Sequence, residues 1–177
     1  RLLLLQALYP NLILENISNS DDSEVMSKTL SADCKTELID IHHAGTAMRF
    51  LTAFFSIQEN REVVLTGSTR MKERPIGILV EALRQLGAEI TYEENNGFPP
   101  IRIKGKKLTQ PMVSLAANVS SQYISALLLI APKLENGLQL TLEGEITSAS
   151  YINMTLGLLN KIGVATTFIG NKITVKP

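Results

Sequence analysis

Leu86-Gly-Ala-Glu-Ile-Thr91 and Ile162-Gly-Val-Ala-Thr-Thr167 are copies of one local pattern set 76 residues apart. Each ends an apolar helical stretch with glycine and leads into a pair of alternating strands. The surrounding order repeats as well. Helix 44–57, strand 62–66, helix 75–86, strand 89–94 and strand 101–105 are followed by helix 120–131, strand 138–143, helix 150–161, strand 164–169 and strand 172–176. A repeat of this length means that each unit buries its apolar face against its neighbours. The opening forty residues read as a third, more diverged copy: a helix ending near Pro10, a strand over 12–17, a helix capped by Ser20-Asp-Asp-Ser-Glu24, and a further strand over 36–41. The expected fold is α/β, with three units of helix, strand, helix, strand and strand packed around one core.

Patterning decides which layer lies inside. Helices 44–57 and 120–131 are apolar around most of their circumference, so they belong in the interior. Ile101-Arg-Ile-Lys-Gly105 and Lys172-Ile-Thr-Val-Lys176 alternate strictly, as a sheet with one wet face requires. Buried helices under outer sheets reverse the usual doubly wound arrangement. With 177 residues, 45% of them apolar, the chain is long enough for a substantial core.

Charge limits the choice of partner. Seventeen basic residues balance seventeen acidic ones, so no general field attracts nucleic acid or a membrane surface, and any anion must be held locally. The longest apolar runs fall well short of the roughly 20 residues that span a bilayer, and no cleavable leader is recognisable, which points to a cytoplasmic protein. Arg1-Leu-Leu-Leu-Leu-Gln-Ala-Leu8 reads as a helix interior whose cap lies upstream, so a preceding segment is expected. Cys34, the single cysteine, excludes an internal disulfide and has the neighbourhood of a structural or incidental thiol.

One bend departs from ordinary packing. Thr66-Gly-Ser-Thr-Arg-Met-Lys-Glu-Arg-Pro75 carries Arg70, Lys72 and Arg74 into a predicted helix start, where the macrodipole is already positive. An anion would relieve that clash; a solvated basic turn eased by Glu73 is the plainer alternative. Pro75 suits a first helical position. Two further helix starts, His43-Ala-Gly-Thr46 and Asn118-Val-Ser-Ser-Gln122, present free backbone N–H groups beside small or hydroxyl residues. Both suit phosphate or carboxylate. Ser120 and Ser121 equally suit ordinary capping, Gly45 relief of crowding, His43 and His42 a capping or solvent-side position, and Tyr151 a half-buried ring with a wet hydroxyl.

In combination these residues form a larger pattern. Ala44-Gly-Thr-Ala-Met-Arg49, Arg70-Met-Lys-Glu-Arg-Pro-Ile76 with Leu79-Val-Glu-Ala-Leu-Arg84, Ser120-Ser-Gln-Tyr-Ile-Ser-Ala-Leu127 and Ser148-x-x-Tyr151 resemble the 5-enolpyruvylshikimate-3-phosphate synthase family in order and spacing. The resemblance covers essentially the whole chain but only half of such an enzyme. It implies the N-terminal lobe of an enolpyruvyl-transferase-like fold, an inside-out α/β barrel of three βαβαββ-type units at roughly 1–42, 43–107 and 108–177.

The resemblance also implies roles. Arg1 would contact shikimate. Ser120 and Ser121 would hold the 3-phosphate, Gln122 would reach the shikimate ring and lie near the second substrate, Ser148 would add a phosphate contact, and Tyr151 would pack on or bond to the same ligand. Arg70 would grip phosphoenolpyruvate, with Gly45 and Gln122 lining that site. No metal or cofactor is implied, and the proton-transferring carboxylates and lysine would belong to the missing C-terminal lobe. The chain by itself would therefore bind substrate without turnover. His43 stands where many relatives carry Asn, and Phe50 where they carry Pro or Leu. The alternatives are a lobe of the sibling enzyme that acts on UDP-N-acetylglucosamine, and a non-catalytic anion-binding module.

Overall fold

The computed structural model describes residues 1–31 and 36–177; Cys34 lies outside the described residues. Two sheets of identical topology dominate it. The first has strand order β1-β2-β4-β3, from β1 (Leu38–Asp40), β2 (Glu62–Thr66), β3 (Glu89–Tyr92) and β4 (Ile101–Lys104). The second has order β5-β6-β8-β7, from β5 (Met112–Ala116), β6 (Leu138–Glu143), β7 (Thr166–Ile169) and β8 (Lys172–Val175). In each, the first two strands pair in parallel and the other neighbours pair antiparallel, with Val64 facing Leu38 in one and Leu140 facing Val113 in the other.

The helices occupy matching places. Ahead of the sheets come α1 (Leu2–Leu8) and α2 (Asp21–Thr29); α3 (Gly45–Ser56) and α6 (Ser121–Ile130) each join the parallel strands; α5 (Gly77–Gln85) and α7 (Ala149–Lys161) each lead to the trailing strand pair. Every residue of α3 except Thr46 is buried, as is everything from Tyr123 to Ile130 in α6, and these two helices pack on one another. The strands bury alternate residues, as in the eBiBi run of β2 and the BeBiBe run of β6. The α/β architecture with buried helices and outer sheets is therefore as expected, with two complete βαβαββ units. The glycines of the sequence repeat, Gly87 and Gly163, both take positive φ, 105° and 90°, just past α5 and α7. A side chain there would strain the turn that returns each chain to its sheet. No helix among the described residues is long and apolar enough to cross a membrane.

Three local expectations need correction. Residues 12–17 do not form a strand: no neighbouring strand is present among the described residues, Asn16 takes φ 53°, and Ile13 is 87% exposed. β propensity alone cannot hold a strand without a ladder partner. The predicted helix 75–86 is instead a short α4 (Thr69–Lys72), a break, and then α5 starting at Gly77. Ser68 caps α4 through the Met71 N–H, while the Ile76 and Gly77 amides donate to the Gly97 carbonyl, so Pro75 precedes the second helix rather than starting it. Finally, β5 was not among the expected strands, although Met112-Val-Ser-Leu-Ala116 alternates; Val113 and Leu115 are its buried pair.

Candidate functional site

The starts of α3 and α6 are tied together: Gln122 Nε2 donates to Thr46 Oγ1 at 3.0 Å. Neither start is capped in the same way. Ser120 accepts from the Gln122 amide through its own hydroxyl, a weak local cap at 3.3 Å, and Ser121 follows half-buried. Ala44 has no side chain to cap α3; Asp22 from α2 reaches across and accepts from the Ala47 amide at 2.8 Å. That contact joins residues 25 apart in sequence. It satisfies one free N–H and places a carboxylate at the positive helix end.

The cationic bend folds over the same place. His43, Arg70, Met71 and Arg74 line a cleft of about 580 Å³. The three cations of the sequence motif separate here. Lys72 pairs with Glu94 at 2.7 Å, whereas Arg70 and Arg74 have no carboxylate partner among the described residues. Arg74 lies across the start of α3, so that a Cβ on Gly45 would collide with its Nη1. The missing side chain of Gly45 thus makes room for an arginine head group as well as for anything bound beside it. Two arginines with no carboxylate partner among the described residues, beside the start of α3, suit an anion. His43 Nδ1 shares a 2.9 Å hydrogen bond with Ser68 Oγ, which fixes its ring at the edge of the cleft.

Arg49 supports this floor from below. It is 5% exposed, donates to the Gly45 carbonyl at 2.8 Å and to the Pro75 carbonyl at 3.4 Å, and lies 5.8 Å from the Tyr123 ring. The Tyr123 hydroxyl donates to the same Pro75 carbonyl at 2.7 Å. Burial pushes the Arg49 guanidinium below its ordinary pKa; Tyr123 opposes this and Arg74 adds to it. The bend carrying Arg70 and Arg74 is thereby latched to both buried helices.

A second group lies along α6 and α7. Arg1 donates from Nε to Thr155 Oγ1 at 3.0 Å and from Nη2 to Ser125 Oγ at 3.3 Å, and its Cζ lies 5.9 Å from the rings of both Phe50 and Tyr151. Burial pushes the Arg1 pKa down, with Tyr151 opposing. Tyr151 remains 51% exposed one turn into α7, whose N-cap, Ser148, makes no side-chain capping bond. Its hydroxyl is left available.

The structure therefore brings Arg1 to Tyr151, Gln122 to the α3 start, Arg74 to Gly45, and Arg70 into one cleft with Arg74 and His43. Ser120 and Ser121 immediately precede Gln122, and Ser148 precedes Tyr151 by three residues. Thr46, Arg49 and Ser125 stood inside the sequence motifs without a role of their own, whereas Asp22 and Thr155 were not expected there. A wider hollow of about 750 Å³, bordered by Leu3, Ile17, Phe54 and Phe55, contains none of the expected site residues.

Known proteins share this chain's sequence and fold. It is 52% identical over 166 residues to a 3-phosphoshikimate 1-carboxyvinyltransferase of Bacteroides fragilis, a match covering 93% of the chain and 40% of that protein. It is 48% identical over 123 residues to the enzyme of that name from Colwellia psychrerythraea, covering 70% of the chain and 29% of the relative. The chain thus spans about 40% of the length of the Bacteroides relative. A 2.37 Å structure of EPSP synthase from Acinetobacter baumannii superposes with a TM-score of 0.76 at 20% identity, covering 98% of the chain and 44% of that protein, which establishes the shared fold. The family model for EPSP synthase (3-phosphoshikimate 1-carboxyvinyltransferase) matches residues 4–177, so with nearly its whole length accounted for, the chain belongs to the EPSP synthase family.

Proposed function

We propose that this chain is the N-terminal, shikimate-3-phosphate-binding lobe of an EPSP synthase, a single lobe of three units whose second and third open at β1 and β5. It works in the cytoplasm with a C-terminal lobe of the same polypeptide. The observation that carries this reading is the cleft at the α3 start, where Arg70 and Arg74 lack carboxylate partners among the described residues, in a chain matched to the family over residues 4–177.

The intact enzyme transfers an enolpyruvyl group. The 5-hydroxyl of shikimate 3-phosphate attacks C2 of phosphoenolpyruvate and loses its proton while C3 gains one. The tetrahedral adduct then expels inorganic phosphate as a C3 proton leaves, restoring the double bond. This lobe positions substrates and neutralises charge. Ser120, Ser121 and Ser148 hold the 3-phosphate, Gln122 and Tyr151 meet the ring, and Arg1 contacts the shikimate. Arg70 grips phosphoenolpyruvate over Gly45, beside Gln122. Such preorganised contacts strengthen when lobe closure removes water.

Calorimetric titration of the chain tests the reading. Saturable heat with shikimate 3-phosphate, and none with UDP-N-acetylglucosamine, is the expected result. The reverse pattern, or no heat with either, contradicts it.

A further inference from the structure

Two hydroxyls stand where the surrounding helices are closed to water. Ser125 in α6 and Thr155 in α7 are each 0% exposed, and apolar residues would pack in their place. A buried hydroxyl is costly unless it is hydrogen-bonded, so its partners reveal its use. Thr155 Oγ1 donates to the Tyr151 carbonyl at 3.0 Å. Its hydrogen is then committed, and it accepts from Arg1 Nε at 3.0 Å and from Ser125 Oγ at 3.1 Å. Ser125 in turn accepts from Arg1 Nη2 at 3.3 Å. Both hydroxyl hydrogens of the pair thus have an acceptor.

The consequence lies in how the guanidinium is held. Nε–H and one Nη2–H share one edge of the planar fork, and the two hydroxyls occupy that edge. The end of the fork, Nη1 with the second Nη2–H, has no partner among the described residues and suits a pair of oxygens. Phe50 and Tyr151 flank the group at 5.9 Å each. An arginine gripped along its side cannot rotate without breaking two bonds to helices packed in the core.

We propose that Ser125 and Thr155 are positioning residues, which hold Arg1 by its Nε edge so that the end of its fork meets an oxygen pair of the bound shikimate ligand. The proposal rests on the shikimate 3-phosphate reading above, and is tested in the full-length enzyme by steady-state kinetics with each substrate varied. Thr155→Val preserves shape and removes the hydroxyl; it raises KM for shikimate 3-phosphate about tenfold and leaves KM for phosphoenolpyruvate within about twofold. Thr155→Ser restores the wild-type value. Ser125→Ala acts in the same direction by about threefold, and decides the matter if Thr155→Val does not fold. In an Arg1→Lys background, which lacks the Nε edge, Thr155→Val adds less than about twofold. Equal rises in both KM values, wild-type kinetics in Thr155→Val or, where that variant does not fold, in Ser125→Ala, or an undiminished effect in the Arg1→Lys background overturns the assignment. Failure of the wild-type enzyme to bind shikimate 3-phosphate overturns the functional reading, and the positioning role with it.

Discussion

The two βαβαββ units share strand order, pairing sense and helix placement, yet differ in the bend after the central strand. In the first unit, β2 runs into Gly67-Ser-Thr-Arg-Met-Lys-Glu-Arg-Pro75, which contains α4 and three cations. In the second, β6 runs into Gly144-Glu-Ile-Thr-Ser148, with no cation and with an acidic residue, Glu145. The helix starts differ to match. α3 opens on Gly45 and borrows its cap from Asp22, while α6 opens on Ser120 with its own hydroxyl. One scaffold, used twice, thus carries different charges and helix caps on its two copies, and the difference resides in loops and end residues rather than in the core.

Substitutions in the full-length enzyme can break or sharpen that division. The largest effect is expected from Arg70→Ala, which removes a bidentate cation from the first unit. It should lower kcat/KM for phosphoenolpyruvate about a hundredfold and leave KM for shikimate 3-phosphate within about threefold, as measured by varying each substrate. Gly45→Ala comes next. Its new methyl would displace the Arg74 head group, raise KM for phosphoenolpyruvate about tenfold, and weaken inhibition by glyphosate; unchanged inhibition would count against placing Gly45 in that site.

Ser120→Ala tests the second unit. Loss of the cap should cost about 1 kcal/mol in denaturant unfolding and weaken shikimate 3-phosphate binding several-fold without changing phosphoenolpyruvate. The smallest effect belongs to Lys72→Ala. Its partner is Glu94 at 2.7 Å on the surface, so stability should change by less than about 0.5 kcal/mol and neither KM should move. A loss rivalling that of Arg70→Ala would extend the anion site to Lys72.

The fold was legible where the signal is local. Gly87 and Gly163 punctuate both repeats, and the continuous apolar faces of α3 and α6 leave them no place except the interior. Residues 12–17 misled because a short apolar run with isoleucines says nothing about whether a partner strand is at hand. Pro75 misled because a proline suits the approach to a helix as well as its first turn, and the Gly97 carbonyl decides between them. At the site, residue types could be read from the motifs but contacts could not. Arg74 meets Gly45 across 29 positions, Asp22 meets Ala47 across 25, and Arg1 meets Thr155 across 154. Such pairings follow from the packing of whole helices, which no window of sequence contains.

The division between the units is tested most directly by amide chemical shifts of the chain titrated with shikimate 3-phosphate alone. Saturable shifts are expected at Ser120, Ser121, Gln122, Ser148 and Tyr151, with Arg70 and Arg74 nearly unmoved. Shifts concentrated at Gly45, Arg70 and Arg74, or no saturable shifts at all, would contradict the account.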